Sequence, residues 1–146
     1  MTKILVVDDE EDLKVLIKQR FRQKIRQKEY DFVFAENGKR ALEQLAEHAD
    51  IDLVLSDINM PEMDGLTLLK KIGEQNFLLK TVIVSAYGDM ENIRTAMNSG
   101  AFDFITKPID FKDLQITIEK TIAHVDALKK TLQAVKENNR SEERRV

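Results

Sequence analysis

Short apolar runs punctuate the chain at residues 4–7, 51–56, 81–84 and 102–106. Each gives way to turn or polar residues and then to a stretch with helical spacing. Residues 4–7 and 81–84 lack clean alternation, which suits strands covered on both faces. A fifth run, residues 31–35, precedes the turn signal Asn37-Gly38. Between the runs, Leu13, Ile17, Phe21 and Ile25 recur every four residues, with Leu16 beside them. Ala41, Leu42 and Leu45 repeat that pattern, as do Leu66, Leu69 and Ile72, and then Ile93, Ala96 and Met97. Asp64, Asp89 and Asp110 stand where helix N-caps belong. Ile109 and Leu114 are spaced as a hydrophobic staple around the last cap.

The order is strand then helix, five times over. It predicts an α/β fold: a doubly wound, five-stranded parallel sheet with five helices on its two faces. Such sheets hold their sites beyond the carboxyl ends of the strands. The first strand runs into Asp8 and Asp9, the third into Asp57, the fourth into Ser85, and the fifth into Lys107-Pro108. Three carboxylates converging in one crevice repel one another and call for a proton or a cation. Oxygen ligands without His or Cys select a hard cation such as Mg²⁺. A lysine and a hydroxyl add donors for anionic oxygens. The set suits a metal plus a tetrahedral oxyanion, and an unpaired carboxylate there can attack phosphorus. Taken singly, each residue has a plainer role: acids near a helix start, a turn aspartate, a solvated lysine.

Composition narrows the rest. At 146 residues the chain has the length of one domain. Its formal charge is 23 − 26 = −3, which argues against a generic nucleic-acid or membrane coat. The absence of Cys excludes a disulfide framework and thiol chemistry, and fits a reducing compartment. His48 and His124 are too few for a histidine metal cage, and the methionines read as core filler. The first apolar run is too short for a signal peptide, and no run approaches the ~18 residues of a membrane span. A cytoplasmic protein beginning at its natural start is the expectation.

The segments Ile4-Leu5-Val6-Val7-Asp8-Asp9, Asp57-Ile58-Asn59-Met60-Pro61-Glu62-Met63-Asp64-Gly65, Ser85-Ala86 and Gly100-Ala101-Phe102-Asp103-Phe104-Ile105-Thr106-Lys107-Pro108 together resemble the receiver domain of two-component response regulators. The resemblance covers residues 1 to about 125. It implies the flavodoxin-like strand order 2-1-3-4-5 and a cis Lys107-Pro108 bond. It implies that Asp57 accepts a phosphoryl group from a sensor histidine kinase or phosphotransfer protein. Asp8, Asp9, Asp57 and the backbone carbonyl of Asn59 would bind Mg²⁺. Lys107 would balance the product's charge, and Ser85 would donate to a phosphoryl oxygen while Phe104 moves inward behind it. The switch would alter the surface of the fourth helix, fifth strand and fifth helix. The only catalysis implied is of the domain's own phosphorylation and dephosphorylation. Ser85 replaces the commoner Thr and keeps the hydroxyl, whereas Phe104 replaces the commoner Tyr and cannot donate a hydrogen bond. Tyr87 takes a position that overlooks the phosphorylation site in the family, where its ring would limit water access.

Two features lie outside that pattern. Residues 14–28 carry seven bases and no acid, which reads first as a solvated helix face and second as a kinase docking surface. Beyond residue 125, Ile118, Thr121, Val125, Leu128, Leu132 and Val135 continue at heptad spacing before a polar end. Residues 1–125 then form the receiver, and 126–146 a helical linker or tail capable of weak homodimerisation. The tail has no room for a DNA-binding domain, so direct nucleic-acid binding is not expected. The expectation is a receiver-plus-linker piece of a larger regulator, with a stand-alone receiver acting by protein contact as the alternative. A haloacid-dehalogenase-type phosphatase would need an acid where Asn59 stands, and Gly38-Lys39-Arg40 does not match a nucleotide-binding loop.

Overall fold

The computed structural model describes residues 1–76 and 78–144, with side chains described up to residue 140; Arg145 and Val146 of the predicted tail lie outside the described residues. Five strands, β1 (Thr2–Val7), β2 (Tyr30–Ala35), β3 (Leu53–Asp57), β4 (Lys80–Ala86) and β5 (Asp103–Lys107), form one sheet. All pairings are parallel and the order is β2-β1-β3-β4-β5. Strand succession reverses direction between β1 and β3, so a crevice opens at their carboxyl ends. Val7 pairs with Ser56 in that register, which brings Asp8 level with Asp57.

Alternate residues of each central strand serve opposite faces, as the pleat requires. Ile4, Val6, Leu53, Leu55, Val82 and Val84 pack under α1 (Glu11–Arg20) and α6 (Phe111–Arg144), against Leu13, Ile17, Leu114 and Ile118. Leu5, Val7 and Val54 turn the other way, onto Ala41 of α3 (Gly38–Glu47) and Leu68 and Ile72 of α4 (Gly65–Gln75). Ile83 meets Ile93 and Ala96 of α5 (Met90–Asn98) on the same side. Every residue of β3 is buried, which explains its unbroken apolar run.

The first helical pattern differs from expectation. It is two helices, α1 and a short α2 (Arg22–Arg26), so the described residues hold six helices rather than five. The chain bends at Phe21, where φ is −103° and ψ is 18°. Phe21 is buried, its ring centroid 5.8 Å from Tyr30, 5.5 Å from Phe32 and 6.3 Å from Phe111. Backbone bonds Phe21 N–H to Ile17 O (3.0 Å) and Ile25 N–H to Phe21 O (2.9 Å) continue through the bend, so it is a kink around an anchored ring.

The basic face has a packing role that composition did not show. The Lys14 and Lys18 ammonium groups lie 5.3 and 5.5 Å from the centre of the Phe34 ring, and Arg20 lies 5.4 Å from Phe111. Lys14 and Lys18 thus cover an aromatic residue of β2, an edge strand, where positive charge also discourages strand addition, while Arg20 covers the first residue of α6. The methionines divide: Met60 and Met63 pack on the core, while Met90 and Met97 of α5 are exposed. α6 runs without interruption from the domain into the tail. Val125 is the last buried position among its described side chains; Leu128 and Leu132 are half-buried and Val135 is exposed. Lys129 approaches Asp52 at 3.8 Å.

Candidate functional site

Three turns deliver the site. β1 ends at Val7, and the Asp8 carboxylate accepts a hydrogen bond from the Glu10 backbone N–H at 2.8 Å, opening the turn into α1. β3 ends in Asp57, whose Oδ1 accepts from the N–H of Ile58 (2.7 Å) and of Asn59 (3.4 Å). The chain then folds back, and the Gly65 N–H donates to Ile58 O at 2.8 Å. A Cβ at Gly65 would stand 2.1 Å from the Asp57 carbonyl oxygen, so only glycine fits there. Asp64 caps α4 through a 2.7 Å bond from the Thr67 N–H, fixing the end of this loop. β5 ends in Lys107, and the Lys107-Pro108 bond is cis.

The Lys107 ammonium donates to Asp8 Oδ2 at 2.8 Å and to Asp57 Oδ2 at 3.1 Å. Glu10 lies 3.6 Å from the same nitrogen and was not picked out from sequence. Asp8, Asp9 and Asp57 each offer a carboxylate oxygen within 4.8 Å of the others. Asp8, Asp9 and Asp57 against the one ammonium give 1 − 3 = −2, and Glu10 at the rim adds to that excess. That excess, made of hard oxygen donors alone, fits a divalent cation such as Mg²⁺. A cavity of about 340 Å³ adjoins Asp8 and Asp9, lined also by Lys14, Glu36 and Arg40.

Burial is the largest influence on Asp57 and raises its pKa; the hydrogen bond and charge of Lys107 oppose it, and Asp8 adds to it. Burial alone would lower Lys107, but its hydrogen bonds and charge contacts with Asp8 and Asp57 outweigh that and hold it well above the ordinary lysine value. The partners are not mirror images because one lysine serves two acids. The buried acid therefore sits under electrostatic tension, while the lysine stays charged.

Ser85 follows Val84 on β4 and is fully buried. Its hydroxyl donates to Asp89 Oδ2 at 3.0 Å, a partner the sequence reading did not foresee. Phe104 is half-buried and packs with Ile83, Ile93 and Ala96. The Tyr87 N–H donates to Lys107 O at 3.3 Å, which ties that residue to the site. The residue is 86% exposed, so in this arrangement it stands open rather than covering the crevice. Asn59 is exposed, two residues beyond Asp57.

A parallel 2-1-3-4-5 sheet with an acidic crevice at its switch point, a lysine across it and a buried hydroxyl beside it defines a class. The sequence matches the response regulator receiver domain family over residues 4–119, and the chain belongs to that family. It is 41% identical over 99 residues to the transcriptional regulatory protein ZraR of Escherichia coli strain K12, covering 68% of this chain and 22% of that protein. It is 31% identical over 133 residues to the regulatory protein AtoC of the same strain, covering 90% of this chain and 27% of that one. The chain thus spans about a quarter or less of the curated relatives it matches. Among solved structures, a response regulator receiver domain protein from Clostridium thermocellum superposes with a TM-score of 0.75 at 29% identity, covering 88% of this chain and 99% of that one. NtrX from Brucella abortus gives 0.79 at 30% identity, covering 90% of this chain and 29% of that one.

Proposed function

We propose that Asp57 is the phosphoacceptor of this receiver domain and that a phosphohistidine on a sensor histidine kinase or phosphotransfer protein is its donor. An Asp57 carboxylate oxygen attacks phosphorus, and the phosphorus–nitrogen bond to the histidine breaks. The second ring nitrogen of the phosphohistidine carries a proton, so the departing nitrogen keeps the electron pair and leaves as neutral imidazole, with an acyl phosphate on Asp57. The observation that carries this reading is the Asp57 carboxylate seated 3.1 Å from Lys107, with Asp8 and Asp9 oxygens within 4.8 Å. Phosphoryl transfer depends mainly on such positioning and charge neutralisation. Mg²⁺ held by Asp8, Asp9, Asp57 and the Asn59 carbonyl would supply the neutralising charge that lets an anion approach an anion. Lys107 holds the Asp57 oxygen in place and stays charged beside the product. Tyr87, open to solvent in the unmodified domain, would limit water access to the acyl phosphate only by folding its ring over the crevice.

Phosphorylation adds about −1.5 to −2 charge and new acceptor oxygens beside Ser85. Ser85 and Phe104 transmit the change to the surface of α5, β5 and α6. That surface exposes Met90, Met97 and Ile116, apolar groups suited to a protein partner. Residues 1–125 act as the phosphoacceptor unit and 126–146 as the linker. The linker's Leu128, Leu132 and Val135 seam supports homodimerisation that is weak until the α5–β5–α6 surface joins it. The chain acts as a switch within a larger cytoplasmic regulator, without contacting nucleic acid or membrane itself. The greater length of its curated relatives supports that reading.

Borohydride reduction after exposure to acetyl phosphate and Mg²⁺ tests the assignment, because an aspartyl phosphate is reduced to homoserine. Peptide mass mapping should find that conversion at residue 57. Conversion at another acid, or none, contradicts the assignment.

A further inference from the structure

We infer that Asp89 is a positioning residue for the switch: its carboxylate holds the Ser85 hydroxyl while Asp57 is unmodified and competes with the phosphoryl group for that single proton. The inference rests on Asp57 being the phosphoacceptor. Ser85 Oγ donates to Asp89 Oδ2 at 3.0 Å, and Asp89 Oδ1 accepts from Asn92 Nδ2 at 2.9 Å. One carboxylate oxygen thereby holds Ser85 and the other the side chain of Asn92 on α5, so neither accepts from a backbone N–H of that helix. Asp89 occupies the N-cap of α5, yet its side chain makes no capping hydrogen bond.

The contrast lies within the same chain. Asn37 and Asp64, both in extended backbone, cap α3 and α4 through bonds from the N–H of Arg40 and of Thr67. Asp89, with φ −84° and ψ 43°, departs from the extended backbone that N-cap residues normally adopt. A side chain well suited to capping is thus diverted to a buried serine. Gly88, immediately before it, has φ +94° with open space where a Cβ would be, so the turn that aims Asp89 depends on glycine.

A hydroxyl donates one hydrogen bond. Ser85 cannot serve Asp89 and a phosphoryl oxygen on Asp57 together. Engaging the phosphoryl group releases one Asp89 oxygen beside a helix start, where first-turn N–H groups lack intrahelical partners. The positive helix terminus favours that exchange. The event at Asp57 is thereby passed to the start of α5, one turn before Ile93 and two before Ala96, which share a packing cluster with Phe104. Asp89 also sets how far the unmodified domain leans toward the switched state, because every switched molecule must first give up the Ser85 bond.

The test is beryllofluoride, a phosphoryl mimic, titrated with Mg²⁺ into the full chain and followed by amide NMR. Wild type, Asp89→Ala, Ser85→Ala and the double variant form a cycle. Asp89→Ala should bind beryllofluoride about tenfold more tightly than wild type, as expected for losing a bond to a charged acceptor. The α5 amide signals of unliganded Asp89→Ala should move toward their liganded positions. In the Ser85→Ala background, Asp89→Ala should change affinity by less than about twofold, the additivity limit for uncoupled sites. Asp89→Asn keeps an acceptor oxygen without the charge; it should fall between, and it supplies the comparison if the alanine variant does not fold. Unchanged or weaker binding by Asp89→Ala, or an equal gain without Ser85, overturns the inference. Wild type that binds no beryllofluoride overturns instead the phosphoacceptor reading beneath it.

Discussion

Replacing Lys107 by Met removes the one ammonium shared by two carboxylates while keeping an unbranched side chain. The Lys107 nitrogen lies 2.8 Å from Asp8 and 3.1 Å from Asp57, whose side chains are only 3% and 11% exposed. Removing one partner from a buried ionic set costs about 3–5 kcal/mol, because the remaining charges stand uncompensated. Lys107 is itself 19% exposed and the crevice opens to solvent, so about 2–3 kcal/mol is expected here. In a chain of this size that lowers Tm by about 5–10 °C. The loss has a sign in pH. Without the lysine nothing but backbone bonding opposes the burial of Asp57 and its repulsion by Asp8, and the folded-state pKa of Asp57 rises further above the unfolded one. Such groups favour the fold below the unfolded value and disfavour it as pH rises through the folded one. Calorimetry from about pH 4 to 8, across and above the carboxylate range, should show the deficit complete at neutral pH and shrinking in acid. Millimolar Mg²⁺ should raise the Tm of Lys107→Met more than that of wild type. A Tm equal to wild type, or a deficit of constant size across pH, would refute the electrostatic account.

Gly65→Ala forces a methyl against the Asp57 carbonyl, 2.1 Å away, and should cost more than about 2 kcal/mol in urea unfolding as well as displacing Asp57. A variant as stable as wild type would mean the loop relaxes freely. The Thr81 hydroxyl is buried without a hydrogen-bond partner among the described residues, so Thr81→Val should raise stability by about 1 kcal/mol in the same assay. A loss of stability would show that the hydroxyl is satisfied. Burial raises the Asp57 pKa, so its charge disfavours the fold as pH climbs through that raised value. Asp57→Asn should therefore raise Tm at neutral pH, with the gain vanishing below the ordinary carboxylate range; a lower neutral Tm would contradict this. Tyr87→Ala should speed loss of the phosphoryl group, measured as the decay of the intact-mass adduct; an unchanged rate would remove the ring from the site.

The sheet was legible because a strand buried on both faces must be apolar throughout, as Leu53-Val54-Leu55 is, and because parallel pairing needs the intervening helices. Asp8, Asp9, Asp57 and Lys107 were legible for a related reason: strand ends in this topology share one edge. The kink at Phe21 was not, since Leu13, Ile17, Phe21 and Ile25 keep helical spacing straight through it. What bends the chain is ring packing with Tyr30, Phe32 and Phe111, partners distant in sequence. The cations on Phe34 escaped notice because a charge run looks the same whether it solvates a face or covers an aromatic ring. Asp89 was read as a cap from its position alone. Its diversion to Ser85 depends on the backbone turn at Gly88, and no local pattern encodes the direction of a side chain.

Phosphorylation of Asp57 within this crevice is tested most directly by intact mass after incubation with acetyl phosphate and Mg²⁺, compared between wild type and Asp57→Asn. One phosphoryl adduct on wild type, lost with Asp57→Asn and lost when the metal is chelated, is the predicted result. No adduct on wild type, or an adduct that survives Asp57→Asn, would contradict it.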